Sequence, residues 1–297
     1  MVCAAGLKGA VFLEGILKQN IEIDQIVTYR QTDDRSGSFE RTSELAARHS
    51  IEMLEIHRPV LPPGALVFLV GWQHLLPIVT STTIVFHDSI LPRYRGFAPT
   101  VTALIKGDHE IGVTALVPND MVDSGPIVAQ RTVQISYPIT IQAALEKQAA
   151  LMIDIAIGIV EQWQRGSLKS TPQTESSATY SVWRDDADYE IDWTRSADTV
   201  ERFINAVGHP YAGARTTVGG RDVIRIVEVM AIPDIHFEIR DVGKIWKLEN
   251  GRPTVICGTG MLKIERFYRE DGCDYSFQRL REKLGSLPAA LRVPPAV

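Results

Sequence analysis

Two stretches constrain the fold of this chain more than any others. "ALVFLVGW" (residues 65–72) and "STTIVFH" (residues 81–87) are near-continuous runs of β-branched, aliphatic and aromatic residues. Apart from the polar start of the second, neither alternates polar with apolar. A strand of that kind is covered on both faces, as in a parallel sheet flanked by helices. The neighbouring segments agree. "MVCAAG" is a short apolar run closed by Gly6, and "IDQIVTYR" reads as a strand. "KGAVFLEGILKQN" sets Val11, Leu13, Ile16 and Leu17 near helical spacing, and "RTSELAARHS" reads as a helix capped by Thr42 or Ser43. Strands alternating with helices imply crossover connections and an α/β, Rossmann-like, mostly parallel sheet.

Further along, "TVTALIKGD" reads as a helix, and "IGVTALVP" and "GPIVAQRTVQI" as strands. A long helix follows with an apolar line through Ile141, Leu145, Ala149, Met152, Ala156, Ile159 and Trp163, stopped by Gly166. The polar stretch "SLKSTPQTESSATYS" has little to bury. Beyond it come a helix, "DTVERFINAVG", and several short strand candidates separated by Gly and Asn turns. The expected organisation is therefore residues 1–166 as one domain, 167–182 as a linker, and 183–297 as a smaller β-rich, barrel-like domain. A length of 297 residues accommodates both.

Charge and cysteine content narrow the function classes. A net charge of −5 weighs against a protein that grips nucleic-acid backbone, which needs clustered Lys and Arg. Cys3, Cys257 and Cys273 show neither a disulfide framework nor a zinc spacing, which points to a reducing compartment. The most apolar stretch, "AALMIDIAIGIV", carries Asp154 and is too short for a membrane span. With no secretory signal pattern, a cytoplasmic location is expected. His74, His109 and His209 each stand without a second ligand at metal spacing, so no metal site is expected.

In an open parallel sheet, ligands bind at the carboxyl ends of the strands. That rule selects residues 70–72, residues 86–88 and the loop at residues 117–125. His87 and Asp123 meet there if their strands are neighbours. A carboxylate beside an imidazole fixes its tautomer and raises its pKa, which suits a general base or acid. Taken alone, His87 reads more readily as a structural residue than as a functional one, and Asp123-Ser124-Gly125 reads equally well as a turn.

The ordered run "FHDSILPRYRGFAPTVTALIKGDHEIGVTALVPNDMVDSGPIVAQ" resembles the formyltransferases that use 10-formyltetrahydrofolate. The elements of their pattern present here are His87, Ser89, Leu91, Pro92, Arg95, Gly96, Pro99, Gly107, Gly112, Val113, Thr114, Asp123 and Gly125. "LVGWQHLLP" is similar to the strand and loop that hold the pterin, and the stretch through "HPYAGA" looks like the start of the family's second domain. The resemblance implies His87 and Asp123 as catalytic residues. It implies a folate site at Val70, Gly71, Trp72, Gln73, Leu76, Asp120 and Asp123. For the acceptor side it implies Ser89, Arg93, Arg95 and Gly96, although the basic turn also reads as a solvated one. Asp88 replaces a small residue or proline usual in the family, and reads as a loop cap or a second acid.

One position departs from the pattern. Relatives carry Asn two residues before the histidine, where it donates to the oxyanion, and this chain has Val85. Three readings follow: protonated His87 serves the oxyanion, a side chain such as Gln73 replaces the amide, or the site is weakened. The loop "YRQTDDRSGSFERTS" offsets Arg30, Arg35 and Arg41 with Asp33, Asp34 and Glu40. Its neutrality disfavours tRNA as the acceptor. The expected acceptor is a small-molecule amine such as a nucleotide-linked amino sugar, with a homodimer as the candidate assembly. A methionyl-tRNA formyltransferase and a weakened folate or nucleotide-sugar binding homologue are the alternatives.

Overall fold

The structure is a computed structural model describing residues 1–31, 34–74, 76 and 80–288. Asp33 and the tail of the expected second domain beyond residue 288 lie outside the described residues. Two compact units are present. The first takes in Met1–Thr100, His109–Ile135 and Gln142–Val182, and the second Val101–Asp108, Ser136–Ile141 and the chain from Trp183 on.

The elements up to the second-unit barrel are β1 (Val2–Ala4), α1 (Gly6–Lys18), β2 (Gln25–Thr28), α2 (Ser38–Arg48), β3 (Glu52–Glu55), β4 (Val67–Val70), β5 (Thr83–His87), β6 (Arg95–Gly96), α3 (Pro99–Lys106), β7 (Glu110–Leu116), β8 (Ile127–Gln134), α4 (Ile141–Gln164) and β9 (Tyr180–Ser181). A seven-stranded sheet runs in the order β3-β2-β1-β4-β5-β7-β8. The first five strands are parallel, and β7 and β8 are antiparallel additions beside β5.

The two expected central strands are β4 and β5, and they are covered on both faces. Successive strand residues point to opposite faces. Phe68, Val70, Ile84 and Phe86 pack on one side with Phe12, Leu13 and Ile16 of α1 and Met152, Ile155 and Ile159 of α4. Each such fully buried side chain stabilises by about 1.5–3 kcal/mol relative to exposure. Met1, Cys3, Val67 and Leu69 form the opposite cluster, with Val85, Trp72 and Leu76 against it. His87 follows Val85 at the two-residue period, so it projects from that second face.

Two expectations need correction, and one strand went unread. α2 begins at Ser38, not near Thr42 or Ser43, and Thr42 is a buried residue inside it. The cause is local: the Asp34 carboxylate accepts Ser36 N at 2.9 Å and the Ser38 hydroxyl, so the turn before Gly37 already sets the helix start. β3 escapes sequence reading because "EMLE" is polar, as an edge strand often is. The apolar line of α4 stops at Ile159, and Trp163 is exposed. No helix among the described residues is long and apolar enough to cross a membrane.

Residues 167–182, expected as a linker, are largely exposed but ordered within the first unit. Thr171 and Ile127 exchange two backbone hydrogen bonds of 2.8 Å, and β9 pairs with β6.

The second unit holds α5 (Ala197–Ala206), capped by Ser196 accepting from Thr199 N, and strands β10 (Ala214–Val218), β11 (Asp222–Ile232), β12 (Ile245–Glu249), β13 (Arg252–Ile256), β14 (Met261–Arg269) and β15 (Leu284–Gly285). Their sheet order is β12-β13-β14-β11-β10-β15. Leu284 N donates to Gly243 O at 2.8 Å and Ile245 N to Glu282 O at 3.3 Å, which ties the two edges together into a barrel. The expected small β-rich domain is this curled sheet.

Candidate active site

The order of strands reverses between β1 and β4, and such a switch opens a crevice at the carboxyl ends. Here the two strand ends touch: Ala5 N donates to Val70 O at 3.0 Å. Gly71 continues β4 with φ +63°, and a Cβ there would lie 2.4 Å from Ala5 O. Only glycine fits that crossing.

His87 ends β5, opposite Thr114 of β7. Asp123 reaches the same place from the β7–β8 loop. That loop doubles back tightly: a Cβ on Gly125 would fall 1.8 Å from Val117 O, and Asp123 itself has φ +48°. Gln173 fastens it by donating to Asp123 O at 2.7 Å and Gly125 O at 2.8 Å. Tyr94, with φ +60°, and Ala98, with φ +46°, also lie in the left-handed region close by. Non-glycine residues in that region are uncommon and gather at functional sites.

The surroundings of His87 define its tautomer. Its Nε2 is 2.8 Å from Tyr94 O, and a carbonyl only accepts, so Nε2 carries hydrogen. Nδ1 faces Asp123 Oδ2 at 3.5 Å. The other call on that carboxylate oxygen comes from Gly96 N, which donates at 2.8 Å. Nδ1 is therefore the atom left to take and give a proton. Burial pushes the His87 pKa below its ordinary value, Asp123 and the Tyr94 carbonyl oppose this, and the Lys8 charge adds to the lowering. The balance keeps the imidazole neutral at rest, as a base requires.

Lys8 is a site residue that sequence reading missed. It stands in the first turn of α1, and its ammonium pairs with Asp88 Oδ2. Its side chain passes the end of β4, with Cε 4.0 Å from where a Gly71 Cβ would stand. Burial pushes its pKa down to about 8. One signal was available: a lysine in a helix's first turn faces the positive end of the helix dipole and needs a reason to be there. Gln148, fully buried on α4, was missed too. It donates to Asp88 O at 3.1 Å and Gly112 O at 2.9 Å and accepts from Thr100, which fixes the backbone beside His87. Thr114 joins in, accepting from Leu91 N at 3.1 Å and donating to Ser89 O at 2.7 Å.

The other expected residues divide. Trp72 and Leu76 line the apolar cluster that contains Val85, while the Gln73 side chain and Asp120 are exposed. Trp72 Nε1 and Asp88 Oδ1 are buried and have no hydrogen-bond partner among the described residues. The indole of Trp72, with its unpartnered N–H, suits a flat, polar-edged ring such as a pterin. Ser89 is buried and donates to Arg93 O at 2.6 Å, a turn contact. Gly96, with φ +98°, serves Asp123 through its N–H. Arg95 was expected at the acceptor, but its guanidinium is 1% exposed and engaged by Glu175 at 2.9 and 3.0 Å and by Gln173 at 3.0 and 3.2 Å. Those contacts make it a core strut for residues 173–180. Arg93 is exposed and lies over the Tyr94 ring. Among the described residues no cluster of three metal-ligating side chains exists.

The formyl transferase family profile matches residues 25–151, and the profile of the formyl transferase C-terminal domain matches residues 184–280. The chain belongs to the formyltransferase family. It is accordingly an enzyme of formyl-group transfer. Its fold is shared with several solved formyltransferases of low identity. One is WlaRD, a sugar 3N-formyltransferase solved in the presence of dTDP and 5-N-formyl-THF. It is 16% identical with a TM-score of 0.63, over 91% of this chain and 97% of that one. Another is the Helicobacter canadensis N-formyltransferase, in complex with folinic acid and dTDP-3-aminofucose. It is 15% identical with a TM-score of 0.64, over 90% and 99%. A third, methionyl-tRNA formyltransferase from Clostridium thermocellum, is 14% identical with a TM-score of 0.55, over 89% and 99%.

Proposed function

We propose that this formyltransferase moves the formyl group of 10-formyltetrahydrofolate to the primary amine of a small molecule, with a nucleotide-linked amino sugar as first choice. The observation that carries the chemistry is His87, held by Tyr94 O so that Nδ1 faces Asp123 at 3.5 Å. The amine nitrogen forms a bond to the formyl carbon, and the carbonyl pair moves onto oxygen. Nδ1 of His87 takes the amine proton, and Asp123 stabilises the imidazolium. Collapse of the tetrahedral intermediate breaks the bond to the folate nitrogen, which receives that proton. The products are the formamide and tetrahydrofolate. Val85 offers no donor to the oxyanion, so the charge of the new imidazolium supports it. Trp72 and Leu76 would hold the pterin, and Trp72 Nε1 would meet one of its acceptors.

The acceptor assignment rests on the 29–43 region. Arg30 pairs with Glu40 at 2.5 Å, and Arg41 pairs with Glu14. Charges paired within the chain leave little field for phosphate backbone. The sugar formyltransferases of the same fold were solved in the presence of dTDP or in complex with dTDP-3-aminofucose, which agrees with a small acceptor. The fold match to a methionyl-tRNA formyltransferase supports the second reading, a tRNA acceptor. The test is loss of 10-formyltetrahydrofolate against a panel of amines that includes dTDP-3-aminofucose and charged initiator tRNA. Turnover only with a small amine upholds the reading. Turnover only with tRNA selects the second one, and turnover without any amine makes the enzyme a hydrolase.

A further inference from the structure

The carboxyl end of β5 carries an acid that the reaction so far leaves unused. Asp88 is 9% exposed, and its two oxygens are treated differently. Oδ2 is paired with Lys8. Oδ1 is buried with no hydrogen-bond partner among the described residues. A buried carboxylate oxygen without a donor is costly and calls for an explanation, and a bound ligand supplies one. The backbone there is held in place, because Gln148 donates to Asp88 O.

The chemistry of the two ligands decides which one completes it. The reacting end of the formyl donor is an amide without N–H, so it presents an acceptor. The acceptor substrate brings a primary amine, rich in donors and cationic in water. The charges agree with such a guest. Lys8 and Asp88 cancel, His87 is neutral at rest, and Asp123 leaves the cluster at net −1. A site of that charge draws in an ammonium and disfavours an anion.

We propose that Asp88 Oδ1 receives an N–H of the acceptor's amine, with Lys8 as the positioning residue that holds the carboxylate across the β1–β4 crevice. Asp88 is then a specificity-determining residue for amines, one residue from the base that deprotonates them. The inference rests on the transferase reading above.

The test uses the full chain, the amine that the wild type turns over, and folinic acid as a non-reacting folate probe. Asp88→Asn keeps the shape and removes the charge. Loss of a charge-assisted hydrogen bond predicts a rise of about ten- to a hundredfold in KM for the amine. The affinity for folinic acid is expected to stay within about twofold. The double variant Lys8→Met/Asp88→Asn covers a failure of the single one to fold, since it leaves no unpaired ammonium. The amine KM is expected to stay raised in the double variant even where its melting temperature matches the wild type. An unchanged amine KM in either variant overturns the inference. So does a tenfold loss of folinic acid affinity, which would give the orphan oxygen to the folate. A loss of kcat that follows melting temperature and recovers in the double variant would make the pair structural only. A wild type without turnover on any amine overturns the function reading and this inference with it. Turnover by the wild type with an unaltered Asp88→Asn overturns this inference alone.

Discussion

Two buried charges, Arg225 in the second unit and Asp88 in the first, differ in how far their partners complete them. In the second unit Arg225 donates to both oxygens of Asp186 at 2.7 and 2.6 Å, to Glu270 at 3.0 Å and to Gly213 O at 3.3 Å. The fork of the guanidinium matches the carboxylate, and burial lowers the Arg225 pKa less than these partners raise it. At the end of β5 the pattern is different. Asp88 keeps one oxygen unpartnered, His87 has its pKa depressed by burial, and Lys8 sits desolvated. A satisfied network rigidifies the fold, while an unpaired buried polar group is costly and leaves room for a ligand to complete it. Arg95 shows that the distinction follows chemistry and not location, because it lies in the same unit as His87 and is as fully engaged as Arg225.

The widest separation between the two kinds of buried charge should appear on removing His87. His87→Ala is expected to lower kcat/KM by about a thousandfold with little change in melting temperature, since general acid–base groups contribute about 10²–10⁴. A loss below tenfold would move the proton-transfer role elsewhere. Asp123→Ala is expected to cost about a hundredfold. It also frees Gly96 N, so a modest loss of stability accompanies it.

The pH profile sharpens the same contrast. The His87 pKa lies below its ordinary 6.5, so the acid limb of kcat/KM is expected below that value. Asp123 is an upward influence on it, so Asp123→Asn should move the limb further down in whatever activity remains. The linked effect on stability has a definite sign. The unfolded imidazole binds its proton near 6.5 and the folded one only at lower pH, so stability declines as pH falls below 6.5. That share of the decline should vanish in His87→Gln, as read from melting curves between pH 5 and 7.5, roughly one unit either side of the imidazole range.

Arg225→Met should give the opposite phenotype. Asp186 is about half exposed, so water rescues much of its charge, and a loss of about 1–3 kcal/mol is expected, less than for a fully buried pair. Arg95→Met belongs to the same class, with Glu175 even more exposed. In both variants the folded fraction should keep the wild-type KM for the amine. A raised amine KM in Arg95→Met would return Arg95 to the acceptor site and break the comparison.

The legible parts of the molecule were those with a local cause. β4, β5 and α4 were visible because an apolar run or a helical stripe records burial directly in the sequence. His87 and Asp123 were reachable because the carboxyl-end rule and the ordered motif place them together. The start of α2 was hidden in a side-chain turn at Asp34, and β3 in a polar edge. Lys8, Gln148 and the Tyr94 carbonyl were hidden for a different reason. Lys8 and Gln148 act across a long stretch of chain, on Asp88 and on Gly112, the Tyr94 carbonyl meets His87 through an irregular turn, and no periodicity encodes such meetings. Arg95 misled for the same reason: a basic turn residue looks solvated until residues 173–180 close around it.

The smallest expected effect comes from Val85→Asn. Val85 is half-buried among Leu69, Trp72 and Leu76, so an amide there leaves an apolar contact and must find partners. Burying it without them costs roughly 1–3 kcal/mol, while a donor aimed at the oxyanion is worth a similar amount in the transition state. The two act on different quantities. The first lowers melting temperature, and the second raises kcat while leaving the amine KM alone. A small fall in stability with a rise of a few fold in kcat would show that Val85 leaves the oxyanion under-supported and that the charged cluster at Asp88 serves the amine instead. If kcat is unchanged while the amine KM rises, the asparagine has entered the amine's seat. Val85 and Asp88 would then line one subsite, and the separation drawn between oxyanion and amine would fall.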